Sequence, residues 1–311
     1  MISCTEFVLA YSELFSYLDA KYGRAEVDNL WDFLFKPTGK GIPLINYAKK
    51  DGLKGCVDYW TSTLTEEAAE ITRIYNLEAG WSTGKMHYCP SKGRLLQFKE
   101  ELGIEPYYDY CDHCDYYRAA LEEVGITWIR NHIDTDKASC SSIIWDTKKF
   151  KGVMKMDENT VIQEIHASEH EYFHPDFHSS MNMGVQYVGQ YHSEEDVREY
   201  LERFTKNAYN KLIKKMQEDP LGVLATKIKD TYIAEKAEDA LTMELTENKL
   251  SVNIAYCPAV KHLRKTGRDI SPWFHMTTTA VMETLAKESG LHFEMESYDP
   301  ETGAAQYYFT K

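Results

Sequence analysis

Cys111 and Cys114 flank Asp112-His113 in the run Pro106-Tyr107-Tyr108-Asp109-Tyr110-Cys111-Asp112-His113-Cys114. Cys-x-x-Cys at a turn into a helix puts two sulfurs within reach of one ion. His132 and Cys140 follow on a predicted hairpin that can bring an imidazole and a third sulfur opposite them. Four N and S donors in a compact unit suit tetrahedral Zn²⁺, with iron or an iron–sulfur cluster as second choice. The alternative is a set of ordinary buried thiols, since free cysteine is among the most buried residue types. Cys89, before Pro90, is a further thiol that could approach the set as ligand or nucleophile.

A second set is imidazole-based. His166, His170, His174 and His178 recur every fourth residue, which on a helix would stack them on one face. Pro175 disfavours a helical His174 and removes a donor, so the spacing predicts a helix beginning at Pro175, with His174 in the loop and His178 inside. His174, Asp176, His178 and Asn182 then surround one helix start. His174 or His178 could move protons near neutral pH, with Asp176 orienting one of them and Asn182 holding a ligand. A solvated connection with scattered histidines is the alternative. Tyr108 and Tyr110, with Tyr107, Tyr116 and Tyr117, could line a pocket for a planar ligand or simply pack as core. Glu66-Glu67 and Glu100-Glu101 read as solvated helix faces.

The elements that must position these groups recur along the chain. Residues 5–35 predict two helical stripes separated at Gly23, Lys36 to Gly41 a turn, and Leu44 to Ala69 a helix-rich region. Ile71 to Tyr88 predicts a hairpin closing on Cys89-Pro90, followed by a short helix. Asp51 to Pro90 aligns without a gap on Asp219 to Pro258, both ending Tyr-Cys-Pro. Pro106 to Trp145 aligns on Pro272 to Thr310 with one deletion, and Thr277, Ala280 and Ala305 stand near the places of Cys111, Cys114 and Cys140. Each half reads helices, hairpin, short helix, helix, hairpin. The expected fold is α+β: two tandem pseudo-symmetric repeats, each an antiparallel sheet of two hairpins packed with helices. The boundaries fall at 1–150 for the cysteine-bearing repeat, 151–191 for a histidine-rich connector and 192–311 for the second repeat. Ser193 caps a long amphipathic helix running to about Gln217, and Asp219-Pro220 breaks it.

Composition narrows the class. A 311-residue chain with 43% hydrophobic residues can bury substantial cores. A formal charge of −14 argues against general binding to nucleic acid or anionic membranes. Glu6, Glu13 and Asp19 interrupt any leader-like apolar core, and no apolar run is long enough to span a bilayer. Seven cysteines without a secretion signal point to reduced thiols and a cytoplasmic address. A small molecule is the expected partner, and a homodimer is compatible with the pattern.

The half-repeat, through Cys89-Pro90, Cys111, Cys114 and Cys140 in one copy and Cys257-Pro258 with the Tyr298-Asp299-Pro300-Glu301-Thr302-Gly303 turn in the other, resembles two families. These are the 4-vinyl-reductase-type small-molecule-binding domain and the L-2-amino-thiazoline-4-carboxylate hydrolase-like proteins. The first resemblance implies a metal held by a helix thiol and two ligands on the last hairpin, here Cys111 or Cys114, His132 and Cys140. The second implies a metal-dependent hydrolase or lyase acting on a small molecule. A non-catalytic sensor or carrier with a structural zinc is the rival expectation.

Overall fold

The computed structural model describes residues 1–36 and 43–311, so the expected Lys36–Gly41 turn lies, from residue 37 onward, outside the described residues. The chain is mixed α/β, with two antiparallel sheets of five and four strands. It divides into two compact units. One comprises Tyr22–Lys99 and Glu105–His174, the other Met1–Lys21, Glu100–Ile104 and Pro175–Lys311. They are called the first and second unit below. The units do not follow the expected boundaries at 150 and 191: the first 21 residues belong with the C-terminal half, and the connector divides between His174 and Pro175.

Helices α1 (Phe7–Tyr22) and α2 (Arg24–Phe35) break at Gly23, whose φ of 91° is open to glycine but costly for other residues. Helix α3 (Pro43–Glu66) kinks at Gly52. Then come β1 (Glu70–Asn76), β2 (Trp81–Tyr88) and α4 (Pro90–Leu102). A 3₁₀ turn over Tyr110–Tyr116 leads into α5 (Tyr117–Glu122), β3 (Ile126–Asp134) and β4 (Ser139–Asp146). The connector contributes β5 (Val161–His166) and α6 (Phe177–Tyr191). The remainder is α7 (Glu194–Ala208), α8 (Asn210–Met216), α9 (Pro220–Ala234), β6 (Leu241–Leu245), β7 (Lys249–Ile254), α10 (Pro258–Lys265), α11 (Met276–Glu288), β8 (His292–Tyr298) and β9 (Ala305–Thr310).

Local signals account for most of these ends. Ser193 Oγ accepts the Asp196 amide, and Asp219 accepts the Gly222 amide ahead of Pro220 at the first helical position. The long helix expected to reach Gln217 is instead two, because Tyr209 leaves helical geometry. Its ring packs on Phe204 and its hydroxyl donates to Glu6. The strand β5 was not expected. It pairs antiparallel with β1, whose other edge is taken by β2.

In the first unit the strand order is β3-β4-β2-β1-β5, and in the second β8-β9-β7-β6. Leaving β5 aside, the two orders correspond element for element. So do the registers: Trp128 faces Ile144 as Phe293 faces Phe309, and Met86 faces Cys140 as Ile254 faces Ala305. Each outer strand bulges at a matching place, between Arg130 and His132 and between Met295 and Ser297. One core packs α3 and α5 on the first sheet through Leu53, Cys56, Leu121, Ile126, Trp128 and Ile144. In the second unit Leu250, Leu263, Leu285 and Phe309 are fully buried. No helix among the described residues is long and apolar enough to cross a membrane.

Candidate functional site

The thiols gather in the first unit where β2 ends. Cys89 follows β2, donates its amide to Ala138 O at 2.7 Å and accepts the Gly93 amide on its carbonyl. The Lys92 amide reaches its sulfur, as at a helix N-cap. Cys111 and Cys114 lie in the 3₁₀ turn, where a spacing of three residues stacks side chains on one side. Cys140 is on β4, opposite Met86 on one side and Ile133 on the other. All seven cysteines are free thiols.

Burial pushes these thiols up, Cys111 to about 11 and Cys114 and Cys140 to about 12, with Cys89 higher still. Neighbouring sulfurs add to the effect. Cys89 feels Cys114, Cys140 and Cys111; Cys140 feels Cys114 and Cys111; and Cys111 feels Cys114. The four sulfurs therefore share one electrostatic neighbourhood. Protonated thiols of this kind are poor nucleophiles, and a metal would have to displace their protons. Arg130 braces the turn, donating from Nη1 to Cys111 O at 2.6 Å and from Nη2 to Asp115 at 2.8 Å.

His132 is not part of this gathering. Strand β3 pairs Ile133 with Cys140 and His132 with Ser141, so His132 is exposed on the face of the hairpin away from Cys140. The imidazole beside the thiols is His113. Its Nε2 lies 3.6 Å from Cys114 Sγ, and its Nδ1 faces Tyr110 O. Burial lowers it to about 4, so it is neutral at pH 7 and able to serve as an N donor.

A carboxylate also reaches this corner. Glu67 is half-buried rather than solvated. Burial raises its pKa, and it feels His174, Glu66 and His113. Cys114 in turn feels Glu67. His174 is buried, with Nδ1 2.7 Å from the exposed Glu66. Of the imidazole set, then, His174 shares the first unit with the thiols and acts on Glu67. His178 and Asp176 belong to the second unit. There His178 Nε2 is 2.9 Å from Glu235 Oε2, while Asp176 accepts from Ser179 Oγ at 2.8 Å and lies 3.3 Å from His262 Nε2. The expected single constellation around the α6 start is thus dispersed among separate partners. Asn182 holds a loop: its Oδ1 accepts the Ser271 amide and its Nδ2 donates to Asp269 O.

The tyrosines divide as well. Tyr108 is 64% exposed, whereas Tyr110 is buried with its ring 5.0 Å from that of His113. Tyr107 and Tyr116 pack on Trp31, and Tyr117 packs on Phe35 and Trp60. They form an aromatic floor beneath the 3₁₀ turn.

The residues missed by sequence reasoning are His113, Glu67, Cys4 and Glu235. Cys4, His178 and Glu235 place a sulfur, an imidazole nitrogen and a carboxylate oxygen all within 4.8 Å of one another. Among the described residues no other group of three metal-type donors is so tight, and the thiol corner is more open than this. A signal for Glu67 and Glu235 did exist, because the gapless internal alignment places one on the other in Thr63-x-x-x-Glu67-x-Ala69-Glu70 and Thr231-x-x-x-Glu235-x-Ala237-Glu238. No protein-family model matches the chain, and neither does any curated protein or solved structure.

Proposed function

We propose that this chain is a metal-dependent enzyme for a small molecule, a hydrolase or lyase, built from two copies of one helix-and-hairpin unit of which only the first kept its sulfur donors. In this reading zinc is held by Cys111, Cys114 and Cys140. The observation that carries it is the shared electrostatic neighbourhood of these sulfurs, set against Thr277, Ala280 and Ala305 at the corresponding places in the other unit. Cys89 has its counterpart in Cys257, so the Cys-Pro corner explains it without a metal. Three protein ligands leave a fourth position for water or substrate, the mark of a catalytic zinc. A zinc ion so held would polarise a carbonyl or imine, or lower the pKa of a bound water. Glu67, whose pKa burial raises, and His174, which acts on it, would supply a proton relay next to Cys114. The resemblance to the L-2-amino-thiazoline-4-carboxylate hydrolase-like proteins supports the hydrolase or lyase class. The acidic chain suits a small substrate better than a polyanion.

A second reading rests on Cys89, whose sulfur feels the other three. If it closes the tetrahedron, the zinc is structural and the protein is a small-molecule sensor or carrier of the 4-vinyl-reductase type. Cobalt-substituted protein separates the two. With three thiolate ligands, added thiocyanate or imidazole shifts the visible cobalt spectrum, and the Cys89→Ser variant retains its metal. A spectrum that ignores both additives, and responds only in Cys89→Ser, selects the closed site. Full metal content in Cys114→Ser refutes both readings.

A further inference from the structure

The tightest donor group in the molecule lies in the second unit. Cys4 sits in a 3₁₀ turn over Cys4–Glu6, His178 in the first turn of α6, and Glu235 at the C-cap of α9. They are 0%, 3% and 5% exposed. Glu235 turns one oxygen to each neighbour: Oε1 accepts the Cys4 amide at 2.5 Å, and Oε2 lies 2.9 Å from His178 Nε2. A carboxylate this deep must be paired, because an isolated charge there loses far more hydration than the fold returns. The pairing seen is an imidazole and a backbone amide, and the Cys4 sulfur lies within 4.8 Å of both the imidazole nitrogen and the carboxylate, so that two further metal ligands surround the carboxylate.

We propose that Cys4, His178 and Glu235 bind a divalent cation of the zinc class, as a site separate from the thiol corner. One sulfur, one nitrogen and one carboxylate oxygen form a borderline-soft set that suits Zn²⁺ or Co²⁺, whereas Ca²⁺ and Mg²⁺ call for oxygen donors throughout. The surroundings are soft too. Cys257 donates its thiol to Met1 Sδ at 3.3 Å, and the Cys257 thiol is near enough to Glu235 to be raised by it. The burial of all three ligands leaves no path for a substrate, so the ion acts as a cross-link. It pins the Cys4–Glu6 turn to α6 and α9, adding to the contacts that Glu235 makes with Cys4 and His178. The sequence foundation is independent of the thiol pattern: Glu235 is the counterpart of Glu67, while Cys4 lies outside both aligned blocks.

The test uses the full chain, stripped with a chelator and titrated with Co²⁺ and Zn²⁺, with bound metal counted by mass spectrometry. Wild type takes up two equivalents. Cys111→Ser/Cys114→Ser takes up one, whose thiolate-to-cobalt absorption disappears when Cys4→Ser is added. His178→Gln, which keeps a donor toward Glu235, also loses that equivalent while its circular dichroism stays native, and it serves as the reporter should Cys4→Ser fail to fold. A natively folded Cys111→Ser/Cys114→Ser chain that takes up no Co²⁺ at micromolar concentration overturns the proposal and leaves a hydrogen-bond network in its place. If instead the single bound ion survives Cys111→Ser/Cys114→Ser and is lost with Cys4→Ser, this site stands and the thiol centre falls.

Discussion

Cys89 and Cys257 each follow a strand, by one residue and by three, precede a proline and head a helix, with the amide four residues on bonded to the cysteine carbonyl in both. The helix before each hairpin also ends alike. Glu67 N bonds to Thr63 O and Ala69 N to Leu64 O, as Glu235 N bonds to Thr231 O and Ala237 N to Tyr232 O, with Ala68 and Lys236 both at positive φ. The side chains around the two cysteines differ. Cys257, Thr277 and Ala305 line a small cavity together with Phe274 and Tyr307, all of them buried, and Ala280 is buried as well. Around Cys89 stand three partly exposed thiols with His113, Lys92 and Arg130 nearby.

The largest expected difference is a response to metal. Zinc bound only by the folded state at a thousandfold excess over its Kd adds about 4 kcal/mol. Thermal or urea unfolding of the first unit should fall by that order when a chelator is added to wild type, and Cys111→Ser/Cys114→Ser should show none of this response. If chelation leaves both chains alike, the thiols are packing residues, and the two corners differ in side chains only.

Next in size is a difference of sign between the two aligned glutamates. For Glu235, burial pushes the carboxyl up, but His178 and the contacts to Cys4 outweigh it and hold the group below the ordinary 4.5. A depressed acid contributes stability above its unfolded pKa and loses it as pH falls through the folded value. Glu235→Gln should therefore destabilise the metal-free protein at pH 7, by about 2 kcal/mol for hydrogen bonds to a charged group. For Glu67 burial wins and the pKa is raised. A raised acid costs stability once the unfolded chain ionises, so Glu67→Gln should be neutral or stabilising at pH 7, by less than about 1 kcal/mol. Urea denaturation at pH 7 reads both, and two losses of equal size would break the contrast.

The turn that leads into the last strand gives a subtler pair. Gly303 has φ +67°, and a Cβ there would come 2.4 Å from Cys257 Cβ and 3.0 Å from Val260 Cγ2. Gly303→Ala should cost about 2 kcal/mol through strain and overpacking. Ala138, at φ 50° in the corresponding turn, already carries its Cβ. Ala138→Gly relieves the left-handed strain and should gain up to about 1 kcal/mol before the added unfolded-state freedom of glycine is subtracted. Equal and opposite midpoint shifts are not expected; a loss in both variants would mean that the two turns are not equivalent.

How much of this was legible in the sequence follows the range of the forces involved. Gly23, Ser193 and Asp219-Pro220 act within a few residues, and each marked a boundary that the structure keeps, whereas α6 begins at Phe177, two residues after the expected Pro175. The alternating hairpins and the two Cys-Pro exits were likewise readable. His132 went astray by one residue of register: the Asp134 to Ser139 pairing puts Ile133, not His132, opposite Cys140, and a period of two turns that single step into the opposite face. Glu67, Glu235 and Cys4 were passed over because burial of a charge depends on partners far along the chain, as with Cys4 and Glu235. Strand β5 escaped because its pattern is weak alone and needs the open edge of β1 to form.

That fifth strand, which the four-stranded sheet lacks, supplies the smallest and most local test. Glu70 on β1 accepts the Ser168 amide on Oε1 at 3.0 Å and faces His166 Nδ1 with Oε2 at 2.9 Å, tying down the end of β5. Bonds from Ser168 and then His166 lower Glu70 from 4.5 to about 2, and Glu70 followed by Glu164 raises His166 above 6.5. The depressed acid supports β5 above about pH 4.5 and withdraws that support as pH falls toward 2; the raised imidazole supports it below 6.5 and withdraws as pH climbs through its folded pKa. Hydrogen-exchange protection of the Val161–His166 amides, corrected for intrinsic rate, should therefore be greatest between about pH 4.5 and 6.5 and decline on both sides. Both groups are solvent-facing, so the effect is confined to this strand and weakens in salt. Glu70→Gln should flatten the profile while leaving the protection of β6 at its natural level, because Glu238 at the corresponding place sits in a 3₁₀ turn with no strand to hold. A profile that stays peaked in Glu70→Gln would trace the fifth strand to its backbone pairing alone.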